Sequence, residues 1–326
     1  MAGAIWVVGG TTPDGGLARI SAEVATLART LAEAAGRDVA GVVVAADASG
    51  AAEELSAYLP RVLAVSEPLL ADHEAPSIIA ERVATLASGE APAFLFVDAG
   101  PDGRDVAGVL EALLGWGVLV NATGAEWEGD GPVVEMSVFG GSLVTRSAFS
   151  APHGIVTVRP NTVTAQVAPA KGVVDAVSVA EPLRLPTVQV VDRVAESGAQ
   201  VAIEEARIVV AGGRGVGGPD GFHVVEELAA ALGGAVGATR AAVDSGWINY
   251  AHQIGQTGKT VKPQLYLALG ISGAIQHKVG MQLAETIVAI NRDPDAPLAE
   301  FADMYVVGDL FEVAPALLAA LRARGG

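Results

Sequence analysis

The 326-residue sequence contains no cysteine. That absence removes disulfides, thiolate zinc sites, cysteine-ligated iron–sulfur clusters and redox-active thiols together, so any redox chemistry must ride on a bound organic cofactor. Positive charge is also scarce: 20 Lys and Arg stand against 37 Asp and Glu, a net charge of −17 at pH 7. Binding to a nucleic-acid backbone relies on Lys and Arg displacing counterions, so the balance argues against a nucleic-acid partner. An acidic surface suits a basic protein partner and equally serves solubility. Long hydrophobic runs are missing too. The apolar stretch over 112–120 is far short of a membrane span, and the apolar run near Met1 has no basic segment before it, Arg19 being the first positive side chain. A cytoplasmic protein that is not membrane-embedded is expected. No His, Asp and Glu spacing suggests a metal, and no Ser, His and acid arrangement suggests a hydrolase.

What is present is a globular composition, 51% apolar and 17% charged, with 40 glycines that point to many turns and tight helix packing. The length favours two domains. Apolar Leu17, Ile20, Val24, Leu27 and Leu31 recur at helical spacing inside a helix expected over 16–35, between strands over 4–8 and 39–45. The alternation continues with helices over 51–58, 77–86 and 105–114 and strands over 61–65, 93–97 and 118–120. Strands alternating with helices imply a parallel sheet covered on both faces. From Gly131 the texture changes to strands over 133–139, 143–148, 154–158 and 163–168, read as antiparallel, with turns at Gly140-Gly141 and Arg159-Pro160-Asn161. Residues 169–200, with Pro182, Pro186 and Gly198 and an extended piece over 188–191, read as a connector. The expected fold class is α/β in two domains, each a mostly parallel sheet flanked by helices: 1–200 with added antiparallel strands and the connector, then 201–326.

The second domain restarts the pattern with a strand over 206–211, a glycine turn over 212–218 and an amphipathic helix over 222–232. Strands over 235–238, 265–269, 286–290 and 304–307 follow, and the last helix opens at Asp309-Leu310-Phe311. Arg214, Thr239-Arg240, Ser272, Asn291 and Asp309 each sit just past a strand. In an open parallel sheet the carboxyl ends share one edge, where ligands bind, so these side chains are aimed at one groove. The strand over 265–269 breaks at Gly270 and restarts as a helix behind Ser272-Gly273-Ala274, leaving unpaired N–H groups at the positive end of a helix dipole. That arrangement suits a phosphate. Gln256, Thr257, Gln276 and His277 add donors that a polar ring system would use. Gly213-Arg214-Gly215-Val216-Gly217-Gly218 matches the dinucleotide pattern between a strand and a helix, yet the next strand ends in Thr239-Arg240 where an NAD site usually has an acid. Arg240 therefore suits either the extra phosphate of NADP or the charge on a reduced ring. The glycine spacing before Lys259 does not make a triphosphate-binding loop.

Taken in order, Gly212 to Gly217, Gly237-Ala238-Thr239-Arg240-Ala241-Ala242-Val243-Asp244, the stretch 253–259, the stretch 271–277, Ala289 to Pro297 and Val307-Gly308-Asp309-Leu310-Phe311 closely resemble the electron transfer flavoprotein alpha subunit. The resemblance covers nearly all of the second domain. The first is similar in layout, with Gly103-Arg104-Asp105-Val106-Ala107 as its best local echo. Thr239 stands where that family often has Ser, and the loop 247–252 lacks an expected Pro. The resemblance implies that the second domain is Rossmann-like and binds FAD, paired with a beta subunit carrying AMP. It also implies that electrons arrive from dehydrogenases such as the acyl-CoA dehydrogenases of fatty acid beta-oxidation and leave toward a membrane quinone oxidoreductase. The chain would then be an electron carrier, not a substrate-converting enzyme. By that analogy Arg214, Thr239, Ser272 and the backbone of Gly273, Ala274, Ile275 and Gln276 surround the phosphates and ribityl chain. Ile254, Gly255, Gln256 and Thr257 line the ring, with the Thr257 hydroxyl near N5; His277 faces its pyrimidine end with Arg240 close by; Asn291, Asp309 and Leu310 hold the adenosine. A fixed cation at Arg240 and a donor from His277 would favour an anionic flavin semiquinone. The competing readings are an NADP-dependent oxidoreductase with Arg240 on the 2'-phosphate, and a non-redox nucleotide-binding regulatory subunit.

Overall fold

The computed structural model describes residues 3–138, 143–180, 182–184, 188–191, 203–204 and 206–324. Phe139, the Gly140-Gly141 turn, Pro186, Gly198 and the boundary placed at 200/201 lie outside them. The chain divides into two compact units, Met1–Val194 and Ala195–Gly326.

The first unit contains β1 (Ile5–Gly9), α1 (Arg19–Ala35), β2 (Val39–Ala45), α2 (Ser49–Leu55), β3 (Arg61–Ser66), α3 (Ala75–Glu90), β4 (Phe94–Asp98), α4 (Pro101–Leu114), β5 (Val118–Glu128), β6 (Gly131–Val138), β7 (Leu143–Ala148), β8 (Gly154–Val158) and β9 (Val173–Ala176). They form one nine-stranded sheet in the order β7-β6-β5-β8-β4-β1-β2-β3-β9. Successive side chains of a strand point to opposite faces. Ile5 and Val7 of β1 accordingly pack with α1 and α2, while Trp6 and Val8 pack with α3 and α4.

Three expectations change here. The strand at 154–158 is parallel, inserted between β5 and β4; only β6 and β7 extend β5 in antiparallel fashion. Residues 163–168 form no strand, because their backbone is held by α1 and the turn after α2: Gln166 N–H donates to Thr26 Oγ1 at 3.0 Å, Arg29 to Gln166 O at 2.9 Å, and Ala168 N–H to Ala57 O at 2.8 Å. The connector contributes β9, which adds parallel to β3 beside an Arg61–Asp175 pair at 2.8 Å.

At the end of β4, burial pushes the Asp98 carboxyl above its usual range, although it accepts the Gly100 N–H at 2.7 Å. A raised folded-state value means its stabilising contribution is complete below the unfolded value and is lost as pH rises through the folded one. Asp98→Asn keeps an acceptor for Gly100 and removes the charge. Its stability relative to the wild type is expected to be greatest at pH 7 and to fall toward pH 3, as read by urea midpoints at both pH values.

The second unit contains β10 (Ile208–Gly212), α5 (Phe222–Leu232), β11 (Ala235–Thr239), α6 (Arg240–Asp244), β12 (Gln253–Ile254), β13 (Leu265–Leu269), α7 (Ile275–Met281), β14 (Thr286–Asn291), β15 (Met304–Val307) and α8 (Leu310–Arg324). All six strands are parallel, in the order β12-β11-β10-β13-β14-β15. Counted from β10, that is third, second, first, fourth, fifth, sixth, the order of a doubly wound dinucleotide fold. Val210, Leu267 and Ile290 face α5 and α8, while Val209, Ala211, Tyr266 and Ala268 face Ile254, Met281 and Leu298. The strand order reverses direction between β10 and β13, so a crevice opens past their carboxyl ends.

Candidate functional site

Two chain segments cross at that reversal with almost no side-chain volume between them. Gly213 N–H donates to Leu269 O at 2.9 Å and Gly215 N–H to Gly270 O at 3.0 Å. A Cβ on Gly213 would stand 2.5 Å from Gly270 O, and one on Gly215 would stand 2.5 Å from Gly270 Cα. Glycine at 213 and 215 is therefore a condition for the crossing. The turn then runs through two short 3-10 segments before α5 begins at Phe222.

Around the crossing lies a cavity of about 620 Å3. Of the residues singled out from sequence, Arg214, Thr239, Arg240, Ile254, Gly255, Gln256, Thr257, Ser272, Gly273, Ala274, Gln276, His277 and Asn291 line it. Ile275, Asp309 and Leu310 do not. Ile275 is 69% exposed, while Leu310 is buried in the α5 and α8 core. Asp309 caps α8 by accepting Phe311 N–H at 2.9 Å and pairs with Arg292; the cap and that cation hold its carboxyl below the usual range.

The lining groups differ in what they offer a ligand. Thr239 Oγ1 is buried and has no hydrogen-bond partner among the described residues. Its hydroxyl does not cap α6, and an unpaired buried hydroxyl is costly unless something else satisfies it. Arg240 opens α6 with its side chain 66% exposed and its guanidinium 3.1 Å from Asp244, which also lines the cavity. Asn291 works as a clamp: its Nδ2 donates to Ile271 O at 2.9 Å and its Oδ1 accepts Asp293 N–H at 3.1 Å. Lys259 pairs with Glu204 at 3.0 Å.

His277 is buried, with both ring nitrogens engaged inside the protein. A carbonyl only accepts, so Nδ1 carries the proton that meets Ile254 O at 3.0 Å. Nε2 then accepts from the Tyr266 hydroxyl at 2.8 Å. Burial holds the imidazole neutral, its pKa lowered to about 4, against a smaller opposing effect of the Ile254 carbonyl. The ring donor expected from sequence is thus committed internally, and His277 joins α7, β13 and the 254–257 loop. That loop also bonds α7 through Gln256 N–H to Gln276 O at 2.7 Å. Tyr266 and Gln253, both buried, are not among the candidate site residues that the sequence singles out, although Gln253 opens the stretch 253–259. Tyr266 looked like an apolar strand residue, and Gln253 precedes the polar turn by position alone.

Residues 202–282 match the family described as the electron transfer flavoprotein FAD-binding domain, and residues 5–182 match the electron transfer flavoprotein domain. The chain is 44% identical over 319 residues to the electron transfer flavoprotein subunit alpha of Mycobacterium leprae, covering 96% of each chain. To the subunit of the same name from Bacillus subtilis it is 36% identical over 315 residues, 95% of each chain. To Protein FixB of Bradyrhizobium diazoefficiens it is 39% identical over 271 residues, 80% of this chain and 72% of the relative.

Proposed function

Because the chain belongs to the electron transfer flavoprotein alpha-subunit family, we propose that its second unit holds one FAD in the cavity past β10 and β13 and relays single electrons as half of a heterodimer. The observation that carries this reading is the unpartnered buried hydroxyl of Thr239 in the wall of a 620 Å3 cavity. That volume lies in the range of cofactor sites, and a ligand acceptor would satisfy the hydroxyl. Arg214 adds a cation that no ion pair engages among the described residues, beside backbone that the Gly213 and Gly215 crossing lets a phosphate approach.

In this assignment Arg214, Thr239, Ser272, Gly273, Ala274 and Gln276 hold the phosphates and ribityl chain, and Ile254, Gly255, Gln256 and Thr257 line the ring. Asn291 fixes the wall on the adenosine side. FAD supplies the one-electron chemistry; the protein binds it and sets its potential. Arg240 favours the singly reduced, negatively charged ring by Coulomb attraction, weakened by Asp244 and by water. The partner is a beta subunit carrying AMP. Donors are dehydrogenases such as the acyl-CoA dehydrogenases, and the acceptor is a membrane quinone oxidoreductase. No helix among the described residues is long and apolar enough to cross a membrane, consistent with a carrier that meets its acceptor at the membrane surface and works in the cytoplasm. An NADP site at Arg240 is disfavoured because the Asp244 carboxylate would face the 2'-phosphate.

The test is the visible spectrum of the chain purified with its beta partner: one flavin per heterodimer is expected, and a colourless complex that takes up no FAD ends the proposal. On stepwise reduction, Arg240→Ala is expected to lower the peak fraction of singly reduced flavin, with the underlying ratio falling roughly tenfold. An unchanged fraction removes Arg240 from the tuning role.

A further inference from the structure

Thr257 lies on the cavity wall, and what its hydroxyl offers a ligand depends on a residue behind it. Gln253, in β12, is 2% exposed. Its Nε2 sits 3.1 Å from Thr257 O and 3.2 Å from Thr257 Oγ1. The two ends of a glutamine amide have opposite polarity, so the bond to Oγ1 is meaningful only if the amide's orientation is settled. Thr257 O settles it. A backbone carbonyl only accepts, and an amide oxygen turned toward it would bring two acceptors into contact inside the protein. Nε2 therefore faces Thr257, one N–H to the carbonyl and the other to the hydroxyl. Tyr250 O–H takes the carbonyl's second lone pair at 2.7 Å. The Gln253 backbone is fixed as well: Lys259 N–H donates to Gln253 O at 2.7 Å, and a Cβ on Gly258 would lie 2.4 Å from that oxygen.

An amide nitrogen donates and does not accept, so Thr257 Oγ1 is the acceptor in this pair. Its own proton must be given elsewhere. We propose that Gln253 is a positioning residue that sets the polarity of the Thr257 hydroxyl: with one Oγ1 lone pair taken by the amide, the proton is turned outward and the hydroxyl donates toward the ligand in the cavity. This deepens the flavin assignment and rests on it. A donor hydroxyl favours whichever ring acceptor it meets in its unprotonated form, so the arrangement discriminates against a ring protonated at that atom. Gln253 thereby biases the ring toward holding charge instead of taking up a proton there.

Reversing the amide tests the idea. In Gln253→Glu the carboxylate only accepts and is repelled by Thr257 O, so the Thr257 hydroxyl is the partner left to it on that residue; Thr257 then gives its proton inward and turns a lone pair to the ligand. FAD affinity is measured by calorimetry on the full chain with its beta partner, in a cycle of wild type, Thr257→Val, Gln253→Glu and the double variant. In the wild-type background Thr257→Val is expected to weaken FAD about fivefold, the loss of one neutral hydrogen bond. In the Gln253→Glu background the same change is expected to leave affinity unchanged or to improve it. If Gln253 acts only as packing, Thr257→Val weakens FAD equally in both backgrounds, and that result overturns the proposal.

A second measurement does not depend on the Glu variant folding or on flavin. In the FAD-free complex both Gln253 amide protons should exchange slowly by NMR, and Thr257→Val should speed one of them. If one of the two exchanges freely in the wild type, or if the pair does not respond to Thr257→Val, the orientation is wrong. A wild-type complex that takes up no FAD overturns the flavin assignment itself, while the amide measurement still decides the orientation of Gln253.

Discussion

Acidification from pH 7 to pH 4 is expected to destabilise the chain by about 3 kcal/mol through His277 alone. The imidazole titrates at 6.5 in an unfolded chain and at about 4 here. Burial disfavours the charged form, and a proton on Nε2 would face the Tyr266 hydroxyl, which now donates to that nitrogen. The unfolded state therefore binds the proton first as pH falls. The stabilisation is complete above 6.5, declines between 6.5 and 4, and is gone below the folded value. Urea denaturation of wild type and His277→Gln at pH 7, 5.5 and 4 isolates this one imidazole from the carboxylates that titrate in the same range. The variant is weaker at pH 7, because the Tyr266 hydroxyl and Ile254 carbonyl lose their partner. The stability gap between the two proteins should close by about 3 kcal/mol at pH 4. A gap of constant size across the range would show that His277 is not held neutral.

Gly255→Ala is expected to reduce FAD affinity by roughly thirtyfold or more and to cost about 2 kcal/mol of stability. Gly255 has φ 142°, a backbone state that side chains rarely adopt. Space is also lacking: its Cβ would lie 2.8 Å from Gln276 O, which already accepts Gln256 N–H, and 3.5 Å from His277 Cα. Both neighbours are backbone and cannot swing aside. The 254–257 loop must then lift from α7, taking Gln256 and Thr257 out of the cavity wall. Gly108→Ala is the contrasting control: it lies inside α4 with nothing within 4 Å of its added methyl, so stability should rise by about 0.5–1 kcal/mol. Calorimetry with FAD and thermal unfolding read both variants. FAD affinity in Gly255→Ala equal to wild type would mean that the loop does not line the flavin.

Much of the second unit was legible because periodicity and turn residues speak for it directly. The spans expected for α5 and for the Leu265–Leu269 strand coincide with the observed elements, since each has an apolar repeat bounded by glycine or proline. β12 was not legible. Two residues carry no period, and Gln253–Ile254 becomes a strand only because β11 offers it a free edge at Ala238 and Thr239. β8 was read with the wrong orientation for a related reason: its entirely buried side chains suit a central strand, while its nearness in sequence to β6 and β7 suggested a meander. Within the site, strand ends announced Arg214, Thr239, Ser272 and Asn291. The internal bonds of His277 were hidden, because they reach back 11 residues to Tyr266 and 23 to Ile254. Gln253 was hidden for the opposite reason, its function being local hydrogen-bond polarity that no residue pattern encodes.

Hydrogen–deuterium exchange of the full chain with its beta partner, with and without FAD, asks most directly whether these strand-end segments enclose one flavin. FAD should slow exchange together at 213–215, 239–244, 254–257, 270–277 and 291–296, the segments that carry the residues lining the cavity. Slowing confined to the first unit, or absent from 254–257 while FAD is bound, would contradict the account.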